Sequence, residues 1–281
     1  MPKPRALTHA PEFRRFLIRW FRRHGRDLPW RTTRDPYRII VSEFMLQQTQ
    51  VRRVQAYYER FLHRFPTIQT LAAASVGSVR ESWDGLGYYR RATNLHRLAQ
   101  MVVSERAGMI PSEPEELRLL PGVGRYTAGA VASFAFERRS PAVDSNVARV
   151  LRRAFHPGIR GSARLQRLWQ TAEIMMPRSG KSAWAFNQAI MELGALICTA
   201  RRARCGVCPV QPVCATGKRR CSAQHGSGKQ RHESKRAGNG RHNPLPGPKL
   251  VEIPASFAAG IQPPEPRRRG ERNKQSNQRR D

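Results

Sequence analysis

Acidic residues are scarce in this chain: 20 Asp and Glu stand against 51 Lys and Arg in 281 residues, a formal net charge of +31. Folding does not require that imbalance. It suits a polyanionic partner, nucleic acid first among them. Long apolar runs are also lacking. None approaches the roughly 18 residues of a membrane span, and no basic-then-apolar leader is recognisable at the start, so the expectation is a soluble, cytoplasmic protein with no membrane partner. Alternating β-branched runs and hairpin dipeptides are few, which leaves little material for a sheet. Cysteine is sparse as well. Four of the five crowd between residues 198 and 214, which is not how a secreted disulfide framework is laid out.

What the sequence does hold is helical periodicity. Residues 1 to about 214 read as an all-α bundle of short helices, long enough for one large domain or two small ones. Asp35-Pro36 is a helix start: Asp caps free N–H groups and Pro suits the first helical position. A second helix runs from Val51 to Phe65 and stops at Pro66. Further periodic segments cover about 88–105, 114–120, 125–136, 145–155, 163–176 and 182–198. In the last, Phe186, Ile190, Leu193 and Ile197 share one apolar face. Residues 215–281 change character to Gly, Pro, Ser, Asn, Gln and basic residues, and are expected to be a disordered arm adding sequence-independent affinity for DNA or solubility. Leu250 to Phe257 is a short apolar patch within it, read as a chance run in a linker or a docking peptide.

Cys198, Cys205, Cys208 and Cys214 give C-x6-C-x2-C-x5-C in one loop after a helix end. Structural zinc sites usually join two C-x2-C knuckles across a longer insert, so the single-loop spacing favours a cubane iron-sulfur cluster. Cys221 falls outside this spacing and reads as a spare thiol.

The second motif is Leu120-Pro121-Gly122-Val123-Gly124-Arg125-Tyr126, between two helical segments. Two glycines let the backbone turn and expose N–H groups at a helix N-terminus, where an anion such as a DNA phosphate would bind. Alone the turn is weak evidence, since most Gly-rich turns between helices bind nothing. The small residues that follow, Thr-Ala-Gly-Ala-Val, let the next helix pack closely.

Together the hairpin, the VDSNVARV segment and the FNQAIMELGALICT helix leading into the cysteines resemble the helix-hairpin-helix iron-sulfur DNA glycosylases that include endonuclease III and MutY. The likeness spans roughly residues 12–214. Leu28-Pro29-Trp30-Arg31, the run Ser42 to Val51 (SEFMLQQTQV) and Trp83 to Tyr89 (WDGLGYY) are similar to the MutY branch. The resemblance implies a [4Fe-4S] cluster, two helical lobes (30–136 with the hairpin; 1–29 joined to 137–214 with the cluster), and a partner in double-stranded DNA carrying mispaired adenine, bound by a monomer. A full-length MutY has a second, β-rich domain that recognises 8-oxoguanine; the polar residues 215–281 are expected to stand in its place, which leaves the choice between 8-oxoguanine and guanine open.

Hydrolysis of the N-glycosidic bond to adenine needs a proton on the departing base and stabilisation of positive charge on the sugar, so two carboxylates in different environments are an economical solution. Glu43, among Ile39 to Val41 and Phe44 to Leu46, is expected to be buried, raised in pKa and protonated. Asp144, at a helix start, is expected to be held ionised by N–H dipoles. By composition alone the bland alternatives are a buried hydrogen-bond partner and an N-cap. The resemblance assigns Glu43 to protonating adenine and Asp144 to the sugar cation. It places Tyr126 where lyase-type relatives carry a lysine. A phenol forms no Schiff base, so the enzyme is expected to be monofunctional, with Tyr126 assisting the carboxylates or simply packing. Asn146 is expected to orient Asp144 or a water. Gln48 and Tyr88 match wedge positions that fill the gap left by an extruded base. Trp30, Arg31 and Leu46 match the wall of the adenine pocket, and Glu192 matches an acceptor for the exocyclic amine or else is a solvated helix residue. Two other readings compete: a thymine or uracil mismatch glycosylase of the same fold, and a non-catalytic DNA-binding module.

Overall fold

The computed structural model describes residues 7–219; residues 220–281, which contain Cys221, Leu250 to Phe257 and most of the expected basic arm, lie outside the described residues. Up to the cysteine loop, eleven α-helices run in chain order among the described residues: α1 Ala10–His24, α2 Pro36–Leu46, α3 Val51–Arg64, α4 Ile68–Ala73, α5 Val76–Ser82, α6 Arg90–Arg106, α7 Pro114–Leu117, α8 Arg125–Phe136, α9 Ser145–Phe155, α10 Arg164–Met175 and α11 Gly180–Leu196. The only strand-like pairing among them is one antiparallel bridge between Cys198 and Ala203. No helix there is long and apolar enough to cross a membrane.

Local chemistry explains the boundaries. The Asp35 side chain accepts from the backbone N–H of Tyr37 and Arg38, with Pro36 in the first turn of α2, so two of the N-terminal donors that a helix leaves orphaned are satisfied. Thr67 and Thr70 form a reciprocal capping box that allows α4 to start, and Ser75 caps α5. Ser179 caps α11 through the N–H of Ser182, and that helix stops at Leu196, leaving Cys198 in the loop. The segment expected as 114–120 holds only one helical turn, because its carbonyls close tight turns toward the glycine hairpin instead. Residues 215–219, read from composition as the start of the arm, form a helical turn anchored by the Lys218 N–H to the Cys214 carbonyl at 2.9 Å.

Buried apolar side chains fall into two clusters. The first runs from Leu28 to Ala142 and is centred on Phe44, Phe61, Trp83 and Leu95. The second joins Phe13 and Leu17 of α1 to side chains of α9, α10 and α11, including Phe155, Phe186, Ile190 and Leu193. Each fully buried side chain of this size contributes roughly 1.5–3 kcal/mol. Partly buried Met191 packs against both clusters. Where α9 meets α11, a Cβ on Gly194 would stand 2.7 Å from the Cβ of Asn146. Glycine there lets the backbone of α11 approach the first turn of α9, which carries Asn146 beside Asp144.

Candidate active site

A cavity of about 710 Å³ is lined by α2 and the turn after it, the 3₁₀ turn Pro29–Arg31, the start of α8, the start of α9 and one side of α11. Glu43, Tyr126, Asp144 and Asn146 all face it, as do Trp30, Arg31, Leu46, Gln48 and Glu192. Residues far apart in sequence thus meet in one hollow. Tyr88, Gly122, Val123 and Gly124 do not line it.

Glu43 is only 3 % exposed, in a stretch of α2 where Ile40, Val41, Phe44 and Met45 are buried on every side. Burial raises its pKa to about 7, a hydrogen bond from Tyr126 pulls the other way, and the nearby charge of Asp144 adds to the rise. Its Oε2 has no hydrogen-bond partner. An unpartnered buried carboxyl oxygen costs stability and is therefore a group held ready for something else to touch. The phenol of Tyr126 is raised well above its ordinary value by burial and by the same two carboxylates, so it remains a neutral donor.

Asp144 caps α9, its Oδ1 accepting from the Val147 N–H at 2.7 Å and its Oδ2 from Asn146 Nδ2 at 2.9 Å. Its pKa is raised: burial outweighs the bonds from Val147 and Asn146 that lower it. The helix-start N–H groups therefore restrain the rise without reversing it. Asn146 is held at both ends of its amide, since its Oδ1 accepts from Arg149 Nη2 at 2.6 Å. Arg149 also donates to the carbonyls of Gly194 and Cys198, each at 2.8 Å. A continuous chain of hydrogen bonds therefore runs from Asp144 to the first cysteine.

Glu192 lines the cavity and is not a solvated helix residue. It is 1 % exposed, and Oε1 accepts from the Arg26 N–H at 3.0 Å and Arg26 Nε at 2.7 Å, while Oε2 accepts from Arg26 Nη2 at 2.9 Å and Arg31 Nη2 at 2.8 Å. Burial pushes its pKa upward, but the hydrogen bonds from Arg26 and Arg31 and the charge of Arg31 bring it down to about 2. Its acceptor capacity is thus engaged by arginines. One helical turn earlier on the same side of α11, Gln188 lines the cavity and accepts from Arg31 Nε at 2.8 Å. Arg26, Gln188 and Arg149 were not singled out from sequence. Gln188 could have been, from its i, i+4 spacing to Glu192 within the FNQAIMELG helix.

Gln48 and Tyr88 share a second, adjoining hollow of about 440 Å³ with Gln47, Tyr89, Arg90, Arg91 and Asn94. Tyr88 is 61 % exposed. Both residues have left-handed backbones, φ 57° and 50°, a conformation that costs a non-glycine residue on the order of 1 kcal/mol or more. In the hairpin only Gly122 needs its freedom, at φ 79°, while Gly124 is extended. A Cβ on Gly124 would touch nothing within 4 Å, so the turn is open to an approaching ligand there.

All four cysteines of the loop line one hollow beneath the end of α11. Among the described residues no three His, Cys, Asp or Glu side chains stand in a ready-made metal-holding geometry. The donor set nevertheless fits a thiolate-held group. Arg153 Nη1 donates to Cys198 Sγ at 3.3 Å and the Gly217 N–H to Cys214 Sγ at 3.3 Å, which is how thiolate sulfurs are supported. Burial pushes the Cys208 thiol up to about 12.

Comparison with known proteins gives this geometry a family. Residues 41–170 match the model of the HhH-GPD superfamily of base excision DNA repair proteins. Those residues of the chain belong to that superfamily. It is 44 % identical over 236 residues to an adenine DNA glycosylase of Rattus norvegicus, covering 79 % of this chain and 45 % of the relative. The chain therefore spans about half the length of the curated relatives it matches. A solved thermostable thymine-DNA glycosylase superimposes with TM-score 0.69 at 28 % identity, over 75 % of this chain and 97 % of that one. A non-covalent endonuclease III–DNA complex matches with TM-score 0.63 at 25 % identity, over 76 % and 98 %.

Proposed function

We propose that the protein is a monofunctional adenine DNA glycosylase of base excision repair, hydrolysing the bond between adenine and deoxyribose where adenine is mispaired with 8-oxoguanine or guanine. The observation that carries this is the pair of carboxyls facing one cavity: Glu43, buried with one oxygen free, and Asp144, fixed at a helix start. A pKa of about 7 leaves Glu43 substantially protonated near neutral pH, as a general acid requires. Glu43 gives its proton to a ring nitrogen of the adenine as the glycosidic bond breaks. The electron pair of that bond leaves with the base, and positive charge develops on the sugar. Asp144, oriented by Asn146, stabilises that charge. Water adds to the sugar carbon and its proton restores Glu43. Trp30, Arg31, Leu46 and Gln188 wall the base, and Glu192 acts through Arg26 and Arg31 by holding them in place. With Tyr126 at the hairpin there is no amine to form a Schiff base.

The partner is double-stranded DNA, bound by a monomer in the cytoplasm. The net charge of +31, the open turn at Gly122, Val123 and Gly124, and the match to a DNA-bound relative support DNA as the partner. The two buried clusters support a division into lobes 30–136 and 1–29 with 137–214. Cys198, Cys205, Cys208 and Cys214 would hold a [4Fe-4S] cluster, whose iron–thiolate bonds would tie the loop after α11.

The identity of the released base tests the reading. Duplexes with adenine opposite 8-oxoguanine, adenine opposite guanine, thymine opposite guanine and uracil opposite guanine are compared in single turnover. Free adenine from the first two is expected. Thymine or uracil instead would move the protein to the mismatch branch suggested by the thymine-DNA glycosylase likeness, and tight binding without release would make it a binding module.

A further inference from the structure

Arg91, the second residue of α6, is a buried arginine with no acid beside it. It is 7 % exposed, and no carboxylate among the described residues pairs with it. Its guanidinium is instead surrounded by backbone. Nη1 donates to the carbonyls of Phe44, Met45 and Gln47, and Nη2 donates to those of Leu86 and Gly87. The first three are orphan acceptors at the C-terminal end of α2, where the helix dipole favours a cation. The other two belong to the Leu86-Gly87 turn, so one side chain fastens two separate segments. The guanidinium also lies 5.5 Å from the ring centre of Trp83 and 5.4 Å from that of Tyr88.

The carbonyls it grips have a particular place in the chain. Gln47 precedes Gln48 and Gly87 precedes Tyr88, and these two followers have left-handed backbones. A carbonyl shares its rigid peptide plane with the next residue's N–H, so fixing the Gln47 and Gly87 oxygens constrains the φ angles of Gln48 and Tyr88. Strained backbone persists where its surroundings over-determine it, and here the surroundings converge on one guanidinium.

We infer that Arg91 is a positioning residue that locks Gln48 and Tyr88 into a single preformed wedge beside the cavity. The inference rests on the proposed glycosylase reading, in which those two side chains fill the gap left by an extruded adenine. A lysine would not replace it, because a compact ammonium cannot reach both carbonyl groups as a planar fork does.

The experiment uses the full chain and a duplex with 2-aminopurine in place of adenine, whose fluorescence rises when the base unstacks on binding. Arg91→Lys is compared with wild type, and the same change is made in a Gln48→Ala/Tyr88→Ala background. Arg91→Lys is expected to lower the unstacking constant about tenfold, the scale of one released backbone strain, with salt-dependent affinity retained and with no further loss in the background lacking the wedge. Unstacking at the wild-type level in Arg91→Lys would overturn the inference. So would an equal loss in both backgrounds, which would make Arg91 a support of the fold at large. Unstacking is read without chemistry, so a wild type that unstacks the base and releases none contradicts the glycosylase reading while leaving the role of Arg91 separately decided.

Discussion

The hydroxyl of Tyr126, in the first turn of the helix after the hairpin, faces the same cavity as the carboxyl of Glu43 in α2 and acts on it as a hydrogen-bonding neighbour. Its influence favours the ionised carboxylate and opposes the larger effect of burial. Adenine release should fall as pH rises through about 7, because Glu43 then loses the proton it must donate. Tyr126→Phe removes an influence that lowers the Glu43 pKa, so the falling limb should move to higher pH. Single-turnover pH profiles of both proteins check this, and a limb that stays in place contradicts it.

Asp144 has two duties that one substitution separates. Asn is as good an N-cap as Asp, so Asp144→Asn should keep the helix start of α9 and leave the melting temperature within a few degrees. The charge is gone, and release should fall by about 10²–10³, the scale of losing one preorganised electrostatic contact. Asp144→Ala should lose the same activity and about 1 kcal/mol of stability as well. Thermal melts beside single-turnover rates distinguish the two.

Glu192 should behave as a structural anion. Glu192→Ala leaves Arg31 buried without its partner and should destabilise the fold by about 3 kcal/mol, toward the low side for a broken buried pair because Arg26 keeps contact with solvent. Since the folded pKa is lowered from 4.5 to about 2, the contribution of Glu192 is fully present above pH 4.5 and fades as pH falls toward 2. Urea unfolding of wild type and variant at pH 7 and pH 3 should therefore show a smaller difference at the lower pH.

The cysteine loop is expected to carry metal. Protein purified without oxygen should contain about four iron atoms per chain, and Cys208→Ala should lower both the iron content and the melting temperature. Zinc in place of iron would contradict the cluster assignment.

Much of the fold was legible because its signals are local. The Asp35-Pro36 start, the stop before Pro66 and the paired helices around the glycine hairpin each follow from a few adjacent residues. Helix α1 was not singled out, because five arginines between Arg14 and Arg23 mask the Phe13 and Leu17 stripe. Helices α4 and α5 are one or two turns long, and their threonine and serine caps are visible only once a helix is suspected. At the site, the burial of Glu43 could be read from its apolar neighbours. The engagement of Glu192 by Arg26 and Arg31 could not, since those partners are more than 160 residues away. Nor could the direction of the Asp144 shift, which depends on how deeply the start of α9 is buried.

The most direct test of the account is release of adenine from a duplex with adenine opposite 8-oxoguanine by wild type and by Glu43→Gln, with binding measured on the same duplex. Gln keeps the shape of the buried side chain and lacks the transferable proton. The account predicts affinity close to wild type and release slowed by about 10²–10⁴. Release by Glu43→Gln at the wild-type rate would contradict it.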